Sequence, residues 1–130
     1  MKLGHYINQI KDFCKTIIPE KVRFDSLDSF NYHTFFISPY EKSQLYLNNI
    51  ITDIHKSIGF DIKNAHAHMT IARGLDAERM KKASEQFRAT EINFEFICDS
   101  IHIRKFNEKT KQYSDIVEII YFKNNRVYFF

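Results

Sequence analysis

The strongest constraint on this chain is the segment from Ser38-Pro39-Tyr40-Glu41 to Gly59, in which Leu45, Leu47, Ile50, Ile51, Ile54 and Ile58 recur largely three and four apart. That is the period of an amphipathic helix, and Gly59 stands where a C-terminal cap belongs. A long helix with one apolar stripe must lay that stripe on a neighbouring layer. The preceding residues supply a sheet for it. Val22, Phe24, Leu27, Phe30, Tyr32, Phe35, Phe36 and Ile37, interrupted by Asp25, Asp28 and Asn31, predict two strands joined by a tight connection, the second ending at Pro39.

Helix and strand periods continue on both sides of this unit. Ile7, Ile10, Phe13, Cys14 and Ile17 predict a first helix over residues 3–17, stopped before Pro19 because proline disfavours the α conformation in the residue ahead of it. The polar stretch Asp61 to Ala65 leads into a short strand over His66 to Ala72, and Asp76-Ala77-Glu78 starts a third helix carrying Met80, Ala83 and Phe87 on one face. Beyond it, Ile92, Phe94, Phe96, Ile101, Ile103, Val117, Ile119 and Tyr121 alternate as antiparallel strands, with Asn107 to Gln112 as a charged hairpin loop. A turn at Lys123-Asn124-Asn125 and an edge strand over Arg126 to Phe130 close the pattern. The reading is an α+β fold, an antiparallel sheet packed by helices, in a single domain over residues 1–130.

Composition agrees with that size of core. The 130 residues are 44% hydrophobic and include 13 Phe and 7 Tyr, each able to bury on the order of 150 Å² or more. Cys14 and Cys98 have no CxxC spacing, which predicts two buried thiols in a reducing cytoplasm rather than a disulfide scaffold. No uncharged apolar run approaches the roughly 20 residues that cross a bilayer, and the first residues do not resemble an export signal, so no membrane partner is expected. The net charge of +3 is spread along the chain. It permits a local phosphate site but not extended wrapping by nucleic acid.

The segment that carries chemistry is His66-Ala67-His68-Met69-Thr70-Ile71-Ala72-Arg73. On a strand, His66, His68, Thr70 and Ala72 share one face, while Met69 and Ile71 are expected to point into the side packed against helices. An imidazole and a hydroxyl two residues apart can reach one phosphate: the His exchanges a proton, and the Thr hydroxyl donates to a non-bridging oxygen. Arg73 at the end of the strand would add a charged clamp. His66 would support His68 or line the groove.

The string His68-Met69-Thr70-Ile71-Ala72-Arg73 resembles the carboxyl-terminal His-x-Thr signature of the two-histidine (2H) phosphoesterases, the superfamily of the 2′-5′ RNA ligases and cyclic nucleotide phosphodiesterases. The succession of elements around it, roughly over residues 20–122, is similar to the second lobe of that fold. The resemblance implies a bilobal α+β protein in which two His-x-Thr motifs face each other across a groove holding an RNA or nucleotide phosphodiester. One His acts as base and the other as acid, and Thr side chains hold the phosphoryl oxygens. His68 and Thr70 would be catalytic, Arg73 and His66 substrate-binding, and neither metal nor cofactor is implied.

The chain holds only one further His-x-Ser/Thr triplet, His55-Lys56-Ser57. It falls in the long helix, where side chains two apart diverge by about 200° and cannot face one substrate. Residues 1–30 resemble the helix and strand that follow the first motif in family members, so the resemblance implies that the family's first lobe, with its own motif, would stand ahead of residue 1. A homodimer could complete the site with a second His68, or the domain could bind phosphate or RNA without turning it over. His66-x-His68 also admits a metal-chelating reading, weakened because Ala72 and Arg73 stand where a carboxylate ligand is wanted. Strands flanking that of His68 could bring His33, His102 and Tyr113 near the groove, but each reads first as an ordinary sheet residue. Lys105, Lys109 and Lys111 read as a solvated loop that an RNA strand could graze.

Overall fold

In the computed structural model, which describes residues 2–31 and 33–123, the predicted succession of helices and strands is present with shifted boundaries. Among the described residues the order is α1 (Lys2–Cys14), β1 (Glu20–Phe30), β2 (Thr34–Pro39), α2 (Glu41–Ser57), β3 (Met69–Ala72), α3 (Ala77–Phe87), β4 (Phe94–Cys98), β5 (Ser100–Asn107) and β6 (Gln112–Tyr121). Tyr32, Asn124, Asn125 and the edge strand expected over Arg126 to Phe130 lie outside the described residues.

Residues 21–52 and 63–96 form one compact unit. Its sheet runs β3-β2-β1-β4, and β2 is antiparallel to both β1 and β3. Val22, Phe24, Phe35, Phe36, Ile37, Ile50, Ala67 and Met80 are buried in it. Phe24 stacks on Phe96 across the sheet, and Phe87 of α3 meets Phe35 with ring centroids 5.7 Å apart. Buried Ser43, on α2, accepts a hydrogen bond from the Arg23 N–H at 2.9 Å, while the Arg23 guanidinium lies 4.0 Å from the centre of the Tyr40 ring. A polar and a cation–π contact thus fix the start of α2 to β1. At α3 the Asp76 carboxylate accepts from the Arg79 N–H at 2.8 Å, the N-cap that Asp76-Ala77-Glu78 predicts.

Among the described residues, 2–20, 53–62 and 97–123 form the other unit. Ile10, Cys14 and Ile17 pack from the first helix and the residues after it, and Ile120 and Phe122 are the buried members of the carboxyl-terminal part. Here β5 and β6 make a two-stranded antiparallel sheet, and the loop between them falls where the charged residues after Asn107 place it. Gly59, at φ +87°, ends the α2 region in the left-handed conformation that a C-terminal cap demands. The helical reading of His55-Lys56-Ser57 holds too: Ser57 lies on α2, where its hydroxyl donates to the Ile54 carbonyl.

Two expectations about the third strand need correction. The strand begins at Met69, so His66, Ala67 and His68 precede it instead of belonging to it. The cause lies in the partner strand and in α2. The β2–β3 ladder ends at Ile37 opposite Met69, and two positions further along β2 is Pro39, which has no N–H to give. The Ala67 N–H and carbonyl are instead taken by side chains of α2. Second, Met69 and Ile71 are not packed under helices; they are 39% and 38% exposed. As the terminal strand of the sheet, β3 has a neighbour on one side only, which leaves its side chains half covered.

Candidate functional site

The site is assembled on an aromatic platform. Phe30 near the end of β1 and Phe36 in β2 stack with ring centroids 4.1 Å apart, and Phe36 is completely buried. His68 stands edge-on to both rings, at 5.1 Å from Phe30 and 5.3 Å from Phe36, and His66 does the same at 5.2 and 5.6 Å. Edge-to-face geometry places the positive rim of one ring on the negative face of the other and restricts how each imidazole can turn. The two imidazoles are 6.3 Å apart, centre to centre.

Thr70 pairs with Phe36 across the β2–β3 ladder, so its side chain leaves the sheet on the Phe36 face. Since the His68 ring rests on Phe36, the imidazole and the hydroxyl share that face, as the two-residue spacing predicts, although only Thr70 belongs to the strand. Both histidines are solvent-exposed and Thr70 is half-buried, so the pair is open to a ligand.

The His68 tautomer follows from its partner. Nδ1 lies 2.8 Å from the His66 carbonyl oxygen, which can only accept, so Nδ1 carries the proton and donates it. Nε2 then holds the lone pair. An exposed imidazole with a tethered Nδ1–H and an Nε2 that meets no hydrogen-bond partner among the described residues is equipped to receive a proton from a bound hydroxyl or water.

Arg73 lies just beyond β3, is exposed, and forms no ion pair among the described residues. The turn before β2 holds the loop that follows it. His33 Nδ1–H donates to the Leu75 carbonyl at 3.0 Å, and the Leu75 N–H returns a bond to the His33 carbonyl at 3.1 Å. His33, read from sequence as a plain sheet residue, is therefore a clip on the loop that carries Arg73 and Gly74, the latter at φ +65°. His102 and Tyr113 belong to β5 and β6 in the other unit. Lys111 pairs with Glu108 at 3.7 Å, both largely exposed, in keeping with a solvated loop.

Two residues escaped the sequence reading altogether. Asn48 Oδ1 accepts from the Ala67 N–H at 2.7 Å, and Gln44 Nε2 donates both to the Ala67 carbonyl and to Asn48 Oδ1, each at 3.2 Å. The Ser38 hydroxyl in turn donates to Gln44 Oε1 at 3.4 Å. An amide pair four residues apart on a helix signals a shared face, but not which distant backbone it will meet.

Among the described residues no group of three or more His, Cys, Asp and Glu side chains is arranged to hold a metal ion, and no helix is long and apolar enough to cross a membrane. The two thiols are outside the site. Burial pushes each up to about 11, aided at Cys98 by the negative charges of Asp99 and Glu20.

A model of the 2′-5′ RNA ligase superfamily matches residues 5–110, a span that includes β3 and the histidines before it. No curated protein matches the chain.

Proposed function

This chain belongs to the 2′-5′ RNA ligase superfamily, and from that premise we propose that it acts on an RNA or nucleotide phosphodiester, a 2′,3′-cyclic phosphate or a 2′-5′ linkage, with His68 as a proton-transferring residue. The observation that carries this reading is the His68 ring itself: exposed, held edge-on to Phe30 and Phe36, and bonded through Nδ1–H so that Nε2 is the free acceptor. On a cyclic phosphate, His68 Nε2 takes the proton of a water whose oxygen bonds to phosphorus. The P–O bond to one ribose oxygen breaks, and that oxygen takes a proton from an acid on the far side. Thr70 Oγ donates to a non-bridging oxygen as negative charge accumulates there. Arg73 reaches toward the substrate phosphate, and His66 lines the same face.

A base on one side calls for an acid on the other. The opposing imidazole comes from a first lobe ahead of residue 1 or from a second copy of the chain; the second source predicts a dimer and a specific activity that falls on dilution. Specific activity that is constant while the mass in light scattering is that of one chain rejects the dimer.

Hydrolysis of nucleoside 2′,3′-cyclic phosphates tests the site. His68→Ala lowers kcat by about 10²- to 10⁴-fold, the usual worth of positioned acid–base catalysis. Thr70→Val lowers it by about ten- to a hundredfold, the worth of one hydrogen bond to a charged group. Full turnover in His68→Ala rejects the assignment. Binding of the cyclic phosphate without turnover by the unaltered chain leaves the non-catalytic alternative. Activity lost in EDTA and restored by a divalent ion replaces the reading with the metal one.

A further inference from the structure

We propose that Gln44 and Asn48 are positioning residues for His68: by holding the two peptide groups on either side of Ala67, they fix the carbonyl that orients the catalytic imidazole. This rests on the assignment of His68 to proton transfer. The His66 carbonyl and the Ala67 N–H belong to one peptide group, planar, with its N–H and C=O pointing in opposite directions in the trans form that every described peptide bond adopts. Asn48 Oδ1 takes the N–H end at 2.7 Å, and His68 Nδ1 donates to the carbonyl end at 2.8 Å. The plane is thus gripped from α2 on one side and presents its oxygen to the imidazole on the other. Rotation of that plane would withdraw the oxygen from Nδ1.

The next peptide group, between Ala67 and His68, is held as well. Its carbonyl accepts from Gln44 Nε2 at 3.2 Å, and the same Nε2 bridges to Asn48 Oδ1, also at 3.2 Å. Two consecutive peptide planes leading into His68 are therefore tied to a single helical turn of α2. Ala67 is buried, so neither of its backbone groups has water as an easy substitute partner. The arrangement is also polarising. An acceptor on the N–H makes the attached carbonyl a better acceptor, which strengthens the Nδ1–H bond and favours the tautomer that carries its proton on Nδ1. Neither amide is needed to touch a substrate; both act through the backbone.

The polarity of this clamp makes it testable with isosteres. Asn48 acts by accepting and Gln44 by donating. Asn48→Asp preserves the acceptor and retains kcat within about twofold, whereas Asn48→Leu lowers kcat by between about ten- and a hundredfold with KM nearly unchanged, the scale of an ångström-level misplacement. Gln44→Glu does the reverse of Asn48→Asp: it sets a carboxylate against the Ala67 carbonyl and loses activity, at least as much as Gln44→Met. A second readout does not depend on turnover. The ¹⁵N imidazole spectrum shows His68 in the Nδ1–H form in the unaltered chain and in Asn48→Asp, shifting toward the mixture of a free histidine in Asn48→Leu and Gln44→Glu.

Should Asn48→Leu fail to fold by circular dichroism, the Gln44→Glu and Gln44→Met pair carries the comparison. Equal kcat in Asn48→Asp and Asn48→Leu, or a His68 tautomer indifferent to all four substitutions, overturns the clamp. If His68→Ala remains active, the catalytic reading falls, while the tautomer spectra still decide whether Gln44 and Asn48 set the ring.

Discussion

β5 and β6 pair residue against residue from Ser100 opposite Tyr121 to Asn107 opposite Gln112, with irregularities at Ile103/Arg104 and Lys105/Asn107. Residues 66–68 have no such ladder; the backbone of Ala67 between the two histidines is held by amide side chains of α2, and the rings stand on Phe30 and Phe36. A ladder satisfies backbone groups wherever the pleat continues, and any alternating sequence can use it. A side-chain tether satisfies them at one place only. It can therefore place an imidazole off the regular path of a strand, at the cost of depending on a few particular residues.

That difference is sharpest at Phe36, which the tethered segment needs and the hairpin does not. Phe36→Ala removes a fully buried ring that stacks on Phe30 and supports both imidazoles, and large-to-small changes of this kind destabilise by about 3–5 kcal/mol. Urea denaturation measures it. Phe36→Leu keeps most of the volume and the fold but removes the aromatic face, so turnover should fall more than stability does. A Phe36→Leu chain with unaltered turnover would mean that the platform is packing alone.

Alkaline pH probes the other unit, which contains both thiols. Folded Cys14 and Cys98 titrate near 11, against the ordinary value of 9.0 that a solvated thiol has when the chain unfolds. A pKa raised by folding means that the neutral thiols favour the native state. Their contribution is complete below about pH 9 and is lost as pH climbs toward about 11, amounting to about 1–3 kcal/mol. The urea midpoint should drop between about pH 9 and pH 11, and Cys14→Ala with Cys98→Ala should flatten the part of that slope that tyrosine ionisation does not explain. An unchanged slope in the double variant assigns the alkaline loss elsewhere.

The same contrast explains what could be read from the chain. The period of Leu45 to Ile58, the Asp76 cap and the hairpin after Asn107 are local signals, and the helix, the cap and the loop form where they place them, although Leu45 at the head of the expected apolar stripe is 65% exposed. That Thr70 leaves the sheet on the face where the His68 ring rests was legible only in part, because the alternation that relates them needs a strand and His68 precedes it. The late start of β3 was not. It depends on Pro39 opposing the segment and on Gln44 and Asn48 reaching Ala67 from about 20 positions away, and alternation alone carries no information about long-range partners. Exposure of Met69 and Ile71 was misread for a related reason: alternation assigns a face, while the position of β3 at the end of the sheet decides how far that face is covered.

The hairpin's own weak point is its loop, and the smallest of these effects lies there. Asn107 Oδ1 accepts from the Lys109 and Thr110 N–H groups at 2.8 and 3.1 Å, its Nδ2 donates to Asp115 at 3.0 Å, and its carbonyl receives the N–H of Lys111, which turns at φ +58°. One side chain thus satisfies two loop donors and bridges the strands, much as a helix cap does. Asn107→Ala should cost about 1 kcal/mol. Asn107→Asp keeps the two accepted bonds but sets a carboxylate against Asp115, so its penalty should shrink as salt is added. Hydrogen exchange locates the loss: amides of β5 and β6 should exchange faster while those of the β2–β3 ladder keep their protection. If both sets accelerate together, the ladder and the tethered segment open as one cooperative unit, and the contrast between them is one of geometry without separate stability.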